Sequence, residues 1–220
     1  MNQEIREKKS LGTMARRKKI IEQTCNFIIQ DGIENIHMRD FAKHCNVATA
    51  TLYNYFGSRD GLISAALQVE LDLLPPMLDC AMLPSEKLTQ RIKQAVADVV
   101  DNMEFTRSVI SLYFSFKQSE KNLETPGTII HNYFVADTRE IVLQIKSLGD
   151  IANWVEVDEF TDDIVSQLFF IIGKFVKGYI GKDQLEFRLL HAVATSFIGI
   201  SIGETKAKFE IMIQQQRITK

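Results

Sequence analysis

Cysteine is scarce in this chain and badly placed for cross-linking. Cys25, Cys45 and Cys80 are odd in number and form no CxxC pair. Reduced thiols in a cytosolic protein fit that pattern better than a disulfide framework. Long apolar runs are missing too. The most membrane-like uncharged stretch, Ala192 to Gly203, has 12 residues and includes Thr195, Ser196 and Ser201, too short to span a bilayer. The opening residues, MNQEIREKKS, hold no apolar segment of the kind a secretory signal needs. Also absent are a phosphate-binding glycine loop, GxSxG, HExxH and any His/Cys cluster at metal-ligand spacing. The four histidines, His37, His44, His131 and His191, are scattered. The expectation is a soluble, cytoplasmic protein with no membrane segment, no metal, no cofactor and no enzymatic activity.

Net charge is small, −2, but unevenly spread. Residues 1–60 hold ten Lys/Arg against seven Asp/Glu, and the other 160 hold sixteen against twenty-one. The basic residues gather at the start, ending in Arg16-Arg17-Lys18-Lys19. A basic end on a mildly acidic body suits contact with a polyanion, and the same pattern also fits a solvated tail.

With 45% hydrophobic residues the chain has enough apolar mass for a substantial core. Its periodicity is helical nearly throughout, with no convincing alternating strand and no internal repeat. One helix is expected from about Thr13 to Gln30, closed by Asp31-Gly32. Short helices follow over Met38–His44 and Thr49–Phe56, and Ser58 is placed to cap another running to about Leu74, stopped by Pro75-Pro76. Beyond these, helices are expected from Pro84 to about Met103, over Thr106–Lys117, and from Pro126 to about Leu148. GDIANWVEVDEFTDD is expected to be a loop, followed by helices over Thr161–Ile180 and Lys182–Gln215. The fold class is therefore all-α. A small three-helix unit with a basic arm is expected over residues 1–60, and a larger helical bundle over 61–220.

Chemistry becomes specific between Met38 and Phe56. Two short helices joined by a few residues must cross steeply, so Ala42 has to be small where they approach. Asn46 falls in the turn, where a left-handed backbone is wanted and asparagine is among the tolerant residues. Val47 and Leu52 then fall into a shared core with Phe41. This Ala-x3-Asn-Val-x4-Leu spacing is that of a helix-turn-helix. Leu52 and Phe56 face inward, which leaves Thr49, Ala50, Tyr53 and Asn54 outward. Small residues at Thr49, Ala50 and Thr51 let a helix N-terminus approach base edges and thymine methyls. Tyr53 and Tyr55 offer hydroxyls, and Arg59 a cation, to phosphate oxygens. Arg39 would reach from the first helix of the motif. A tyrosine-bearing helical hairpin with no DNA role has the same bare spacing.

The segment RRKKIIEQTCNFIIQDGIENIHMRDFAKHCNVATATLYNYFGSRDGLISAAL, with LYNYF as its most specific part, resembles the tetracycline-repressor (TetR) family of bacterial transcription regulators. The resemblance covers roughly residues 16–67. It implies that Thr49 to Tyr55 form the recognition helix, with Tyr53, Tyr55 and Arg59 on phosphates and Arg39 contributing from the helix before. Three residues depart from the family pattern. His37 stands where a capping Thr is usual, Asn46 replaces the turn glycine, and Ala50 occupies a position often Ser or Gly.

The resemblance also implies a homodimer on a palindromic double-stranded DNA operator, released by a small, largely apolar effector. The terminal helices are apolar over an arc too wide for one partner, which supports a dimer through Leu168, Ile172, Phe175, Leu190, Ala194, Phe197 and Ile198. One thick monomeric core would give the same arc. The aromatics Phe105, Tyr113, Phe116, Tyr133, Phe134 and Phe169, with His131 as a polar hook, are candidates for the effector cavity or for plain core. The rival function is an all-α interaction protein without sequence-specific DNA binding. A thiol sensor at Cys25 or Cys45 is weaker, since both sit at helix-packing positions.

Overall fold

The computed structural model of the chain describes residues 2–73, 83–114 and 125–218. Among these the secondary structure is helical, with one isolated antiparallel bridge between Ile151 and Ser201. The chain divides into two compact units, residues 1–74 with 107–130 and residues 75–106 with 131–220.

The first unit is built on α1 (Asn2–Asp31), α2 (Met38–His44), α3 (Thr49–Phe56) and α4 (Arg59–Asp72). α1 begins well before the expected Thr13, and the basic cluster at residues 16–19 is an exposed part of it. Its inner stripe of Ile20, Ile21, Thr24, Cys25 and Ile28 is buried against α4, whose Leu62, Ile63, Ala66 and Leu67 are all at most 2% exposed. Thr24 is tolerated there because its hydroxyl donates to the carbonyl of Ile20 at 2.8 Å. The Cys25 thiol, packed against the Ala66 carbonyl, is pushed up to about 12 by burial and then by the nearby Glu70 carboxylate. Burial pushes Cys45 up to about 11. Both are thiols rather than thiolates near neutral pH, and so poor nucleophiles.

The second unit holds α5 (Pro84–Asp101), most of α7 (Pro126–Ser147), α8 (Val157–Val176), α9 (Lys182–Ile200) and α10 (Gly203–Ile218). α6 (Met103–Phe114) and α7 each contribute residues to both units. α9 is the hub, packing on α5, α8 and α10. Its Leu185, Leu189, Val193, Ala194 and Phe197 are at most 2% exposed, alongside Ile141, Val142 and Ile145 of α7. The Phe197 ring lies 5.0 Å from those of both Phe160 and Phe209. α5 is tied to α7 by Arg91 Nε on Asp137 Oδ2 at 3.0 Å and by Lys87 Nζ on Gln144 Oε1 at 3.0 Å. Burial raises the Asp137 carboxyl, and Arg91 draws it part of the way back.

Several boundaries differ from the sequence expectation. α6 starts at Met103, and the expected residues 115–117 of that helix lie outside the described residues, as do Pro75, Pro76 and Cys80. The loop is shorter than expected because α8 begins at Val157, which sets Asp158 and Glu159 in its first turn against the partial positive charge of the helix end. The long terminal helix is in fact two. It breaks at Ser201-Ile202, where Asp150 clasps the chain. The Asp150 carbonyl accepts from Ile202 N at 2.9 Å, and its Oδ2 caps α10 by accepting from Thr205 N at 2.8 Å. Gly203 is required there twice over. Its φ is +62°, and a Cβ would lie 2.3 Å from Asp150 Oδ1.

Candidate nucleic-acid interface

The turn between α2 and α3 explains why these two helices hold a fixed angle. Asn46 adopts φ 52°, the only positive φ among the described non-glycine residues. Asn46 N donates to the Lys43 carbonyl at 3.0 Å and Val47 N to the Ala42 carbonyl at 2.9 Å. That pair is the Schellman closure of a helix end, here built on asparagine. Ala42 is 1% exposed, Leu52 0%, Phe41 2% and Phe56 9%, so the two helices share one small core. Val47 is half-buried at its edge. Phe27, Phe41 and His44 cluster with ring centroids 5.3 to 5.6 Å apart. His37 stands at the N-cap of α2 and makes no capping hydrogen bond from its side chain.

The opposite side of α3 is polar and open. Ala50, Tyr53 and Asn54 are exposed, while Thr49, Thr51 and Tyr55 are half-buried. Arg39 is exposed on α2; Lys43 is engaged with Asp40 at 2.9 Å, whose carboxyl it holds below the usual range. Six of the eight expected DNA-facing residues belong to α3 and Arg39 is exposed on α2, so these seven offer hydroxyls, an amide and a guanidinium. Arg59 is the exception. Its Nε donates to the Ile36 carbonyl at 2.8 Å and its Nη2 to the Ile33 carbonyl at 2.5 Å. Two features escaped the sequence reading. Arg17 of the basic arm packs over the Phe56 ring at 5.1 Å, a cation–π contact that fastens α1 to the end of α3. Gly61 comes so close to the Phe56 carbonyl that a Cβ there would lie 2.0 Å from the oxygen. A glycine in the first turn of a helix was the available signal, since it is otherwise a costly choice there.

The other candidate residues distribute as follows. Phe134 lies 5.3 Å from both Tyr133 and Phe169, and His131 Nε2 is 2.6 Å from Asp162 Oδ1, so α7 and α8 bring four of the effector candidates together. Phe105 is half-buried in the second unit, Tyr113 is half-buried in the first, and Phe116 lies outside the described residues. Among the dimer candidates, Ala194 and Phe197 are wholly buried and Leu190 is 8% exposed. This corrects the sequence expectation: those three are spent inside the unit and offer a partner no surface. Leu168, Ile172, Phe175 and Ile198 stay half-exposed. Beside them an open groove of about 310 Å³ runs along α8 and α9, lined by Gln167, Ile171, Lys174, Phe187, Arg188 and His191 among others. Among the described residues no helix is long and apolar enough to cross a membrane.

A short helix, a four-residue turn closed through a left-handed asparagine and a second helix with an open polar face make this a helix-turn-helix unit. Residues 20–66 match the family model described as bacterial regulatory proteins, tetR family. The similarity to that family lies in this segment, about a fifth of the chain. The chain is 35% identical over 77 residues to the HTH-type transcriptional repressor KstR of Mycolicibacterium smegmatis, covering 35% of this chain and 38% of KstR. It is 25% identical over 131 residues to the HTH-type transcriptional regulator PksA of Bacillus subtilis, 58% of this chain and 62% of PksA. The matches therefore span less than two thirds of these relatives. The fold as a whole is similar to that of a TetR-family regulator from Rhodococcus sp., with TM-score 0.63, 19% identity, and coverage of 83% of this chain and 99% of that one.

Proposed function

We propose that the chain is a DNA-binding transcriptional regulator, acting most simply as a homodimeric repressor on a palindromic operator. The open polar face of α3 carries this reading, because its small first-turn residues and two tyrosines suit a major groove and its flanking phosphates. Selection of duplexes from a random pool tests it directly. A palindromic winner is expected, with half-sites about one helical turn, roughly 34 Å, apart. Its affinity should fall steeply with salt, in proportion to the phosphates contacted. No enrichment over bulk DNA would favour the rival, an all-α interaction protein, for which the acidic balance of residues 61–220 speaks.

The same reading places dimerisation on the outer face of α8 and α9. Along α8 the stripe of Glu159, Asp163, Gln167, Ile171 and Lys174 runs from acidic to basic, and Arg188 of α9 joins the basic end of the groove. A face polarised in this way is complementary to itself about a two-fold axis. Asp163→Lys and Lys174→Glu should each weaken association by about tenfold or more, and mixing the two variants should restore it as a heterodimer. Sedimentation showing equal association in all cases would remove this interface. The effector is proposed to lie by Tyr133, Phe134, Phe169 and His131, and to be small and largely apolar. The structurally similar RolR (TM-score 0.61, 16% identity, 91% of this chain and 93% of that one) was solved with resorcinol, which is compatible with an aromatic effector.

A further inference from the structure

Arg59 looks from the sequence like one more cation for the DNA backbone, but its side chain is occupied otherwise. It begins α4, three residues after α3 ends at Phe56. Its Nε and Nη2 donate at 2.8 and 2.5 Å to the carbonyls of Ile36 and Ile33, 23 and 26 residues earlier in the chain. Those carbonyls belong to the turn that leads from α1 into α2, and the Ile33 and Ile36 side chains are 2% and 0% exposed. Nη1 is 3.7 Å from the neighbouring Asp60 carboxylate, which offsets the charge a phosphate would feel. A planar fork spanning two carbonyls from a charged donor is a strong and directional tie, which lysine cannot copy.

The consequence is geometric. α2 is seven residues long and its N-cap, His37, contributes no side-chain bond, so beyond the buried Ile33 and Ile36 side chains the approach to α2 lacks the usual side-chain cap. Arg59 supplies a hold there from the far side of the motif. It joins the turn before α2 to the first turn of α4, which follows directly on the end of α3. We propose that Arg59 is a positioning residue for the recognition helix and not a phosphate ligand. This rests on the reading of α3 as a DNA-facing helix.

Arg59→Lys and Arg59→Gln separate the two roles, measured well below the melting temperature of each variant so that only folded protein is compared. The probe is the duplex enriched from the random pool. As a positioning residue, Arg59 predicts that both variants lose affinity alike, by about tenfold, the scale of one or two contacts moved out of register. The slope of log affinity against log salt should not change. A phosphate ligand predicts near wild-type binding for the lysine variant and a slope reduced by about one in the glutamine variant; that result overturns the proposal, as does unchanged affinity in both. Amide exchange gives a second readout that needs no DNA. Exchange at Ile36, Asp40 and Phe41 should rise by about tenfold or more in both variants as the turn opens locally, and unchanged rates there overturn the tie itself. If no duplex is enriched by the wild-type chain, the regulator reading falls and the positioning role falls with it. Faster exchange would then still show the tie as a feature of the fold.

Discussion

Alanine in place of Gly61 is expected to destabilise the chain by about 3 kcal/mol, the upper range for forced overpacking. The reason is a single contact: the new Cβ would stand 2.0 Å from the Phe56 carbonyl oxygen and 3.2 Å from its carbon. Both are backbone atoms and cannot swing aside as a side chain could. Relief would require the first turn of α4 to move away from the end of α3, which also breaks the bond from Gly61 N to Ser58 Oγ. The built-in control is Gly12, which is exposed in α1 with nothing within 4 Å of its Cβ position. There the same substitution should raise stability by up to ~1 kcal/mol, the ordinary helical advantage of alanine. Denaturant midpoints of the two variants, at unchanged m, should move in opposite directions. A Gly61→Ala midpoint equal to wild type would mean that the α3–α4 corner is looser than described.

Phe197→Ala is the second large effect. Phe197 is fully buried, stacked at 5.0 Å on Phe209 of α10 and edge-on at 5.0 Å to Phe160 of α8. Truncation leaves a cavity where three helices meet, at an expected cost of about 4 kcal/mol. Because Phe197 has no surface to lose to a partner, the cost should be independent of protein concentration. Phe170→Ala, 54% exposed beside the α8–α9 groove, should change the midpoint by no more than ~0.5 kcal/mol at low concentration. A concentration-dependent loss at Phe197 would return it to an interface between copies and contradict its burial.

These two sites show where sequence reasoning succeeds and where it stops. The spans of α2 and α3 and the left-handed Asn46 could be read directly, because helix ends, turn and inward residues are all encoded within twenty positions. The cap of α4 by Ser58 was legible for the same reason. Phe197 was not, since an α9 apolar around most of its circumference looks the same whether its second partner is α10 or another copy. The break between α9 and α10 was invisible because the residue that makes it, Asp150, lies 55 positions from its hydrogen-bond partner Thr205. At Arg59 the sequence suggests phosphate, because a cation stands next to α3, and only the distances to Ile33 and Ile36 show that Nε and Nη2 are engaged within the fold.

The clasp at Asp150 also carries a kinetic meaning. It joins two points of the chain that enclose α8 and α9, so the loop it closes is shortest when that helical hairpin has brought its own ends together. Once the hairpin exists, most of the loop-closure entropy has been met, and the remaining step is local. The cap on Thr205 then gives α10 a fixed start beside Phe197, with Phe209 as the ring that completes the stack. A hairpin already formed therefore shortens the loop that the clasp and α10 have to close.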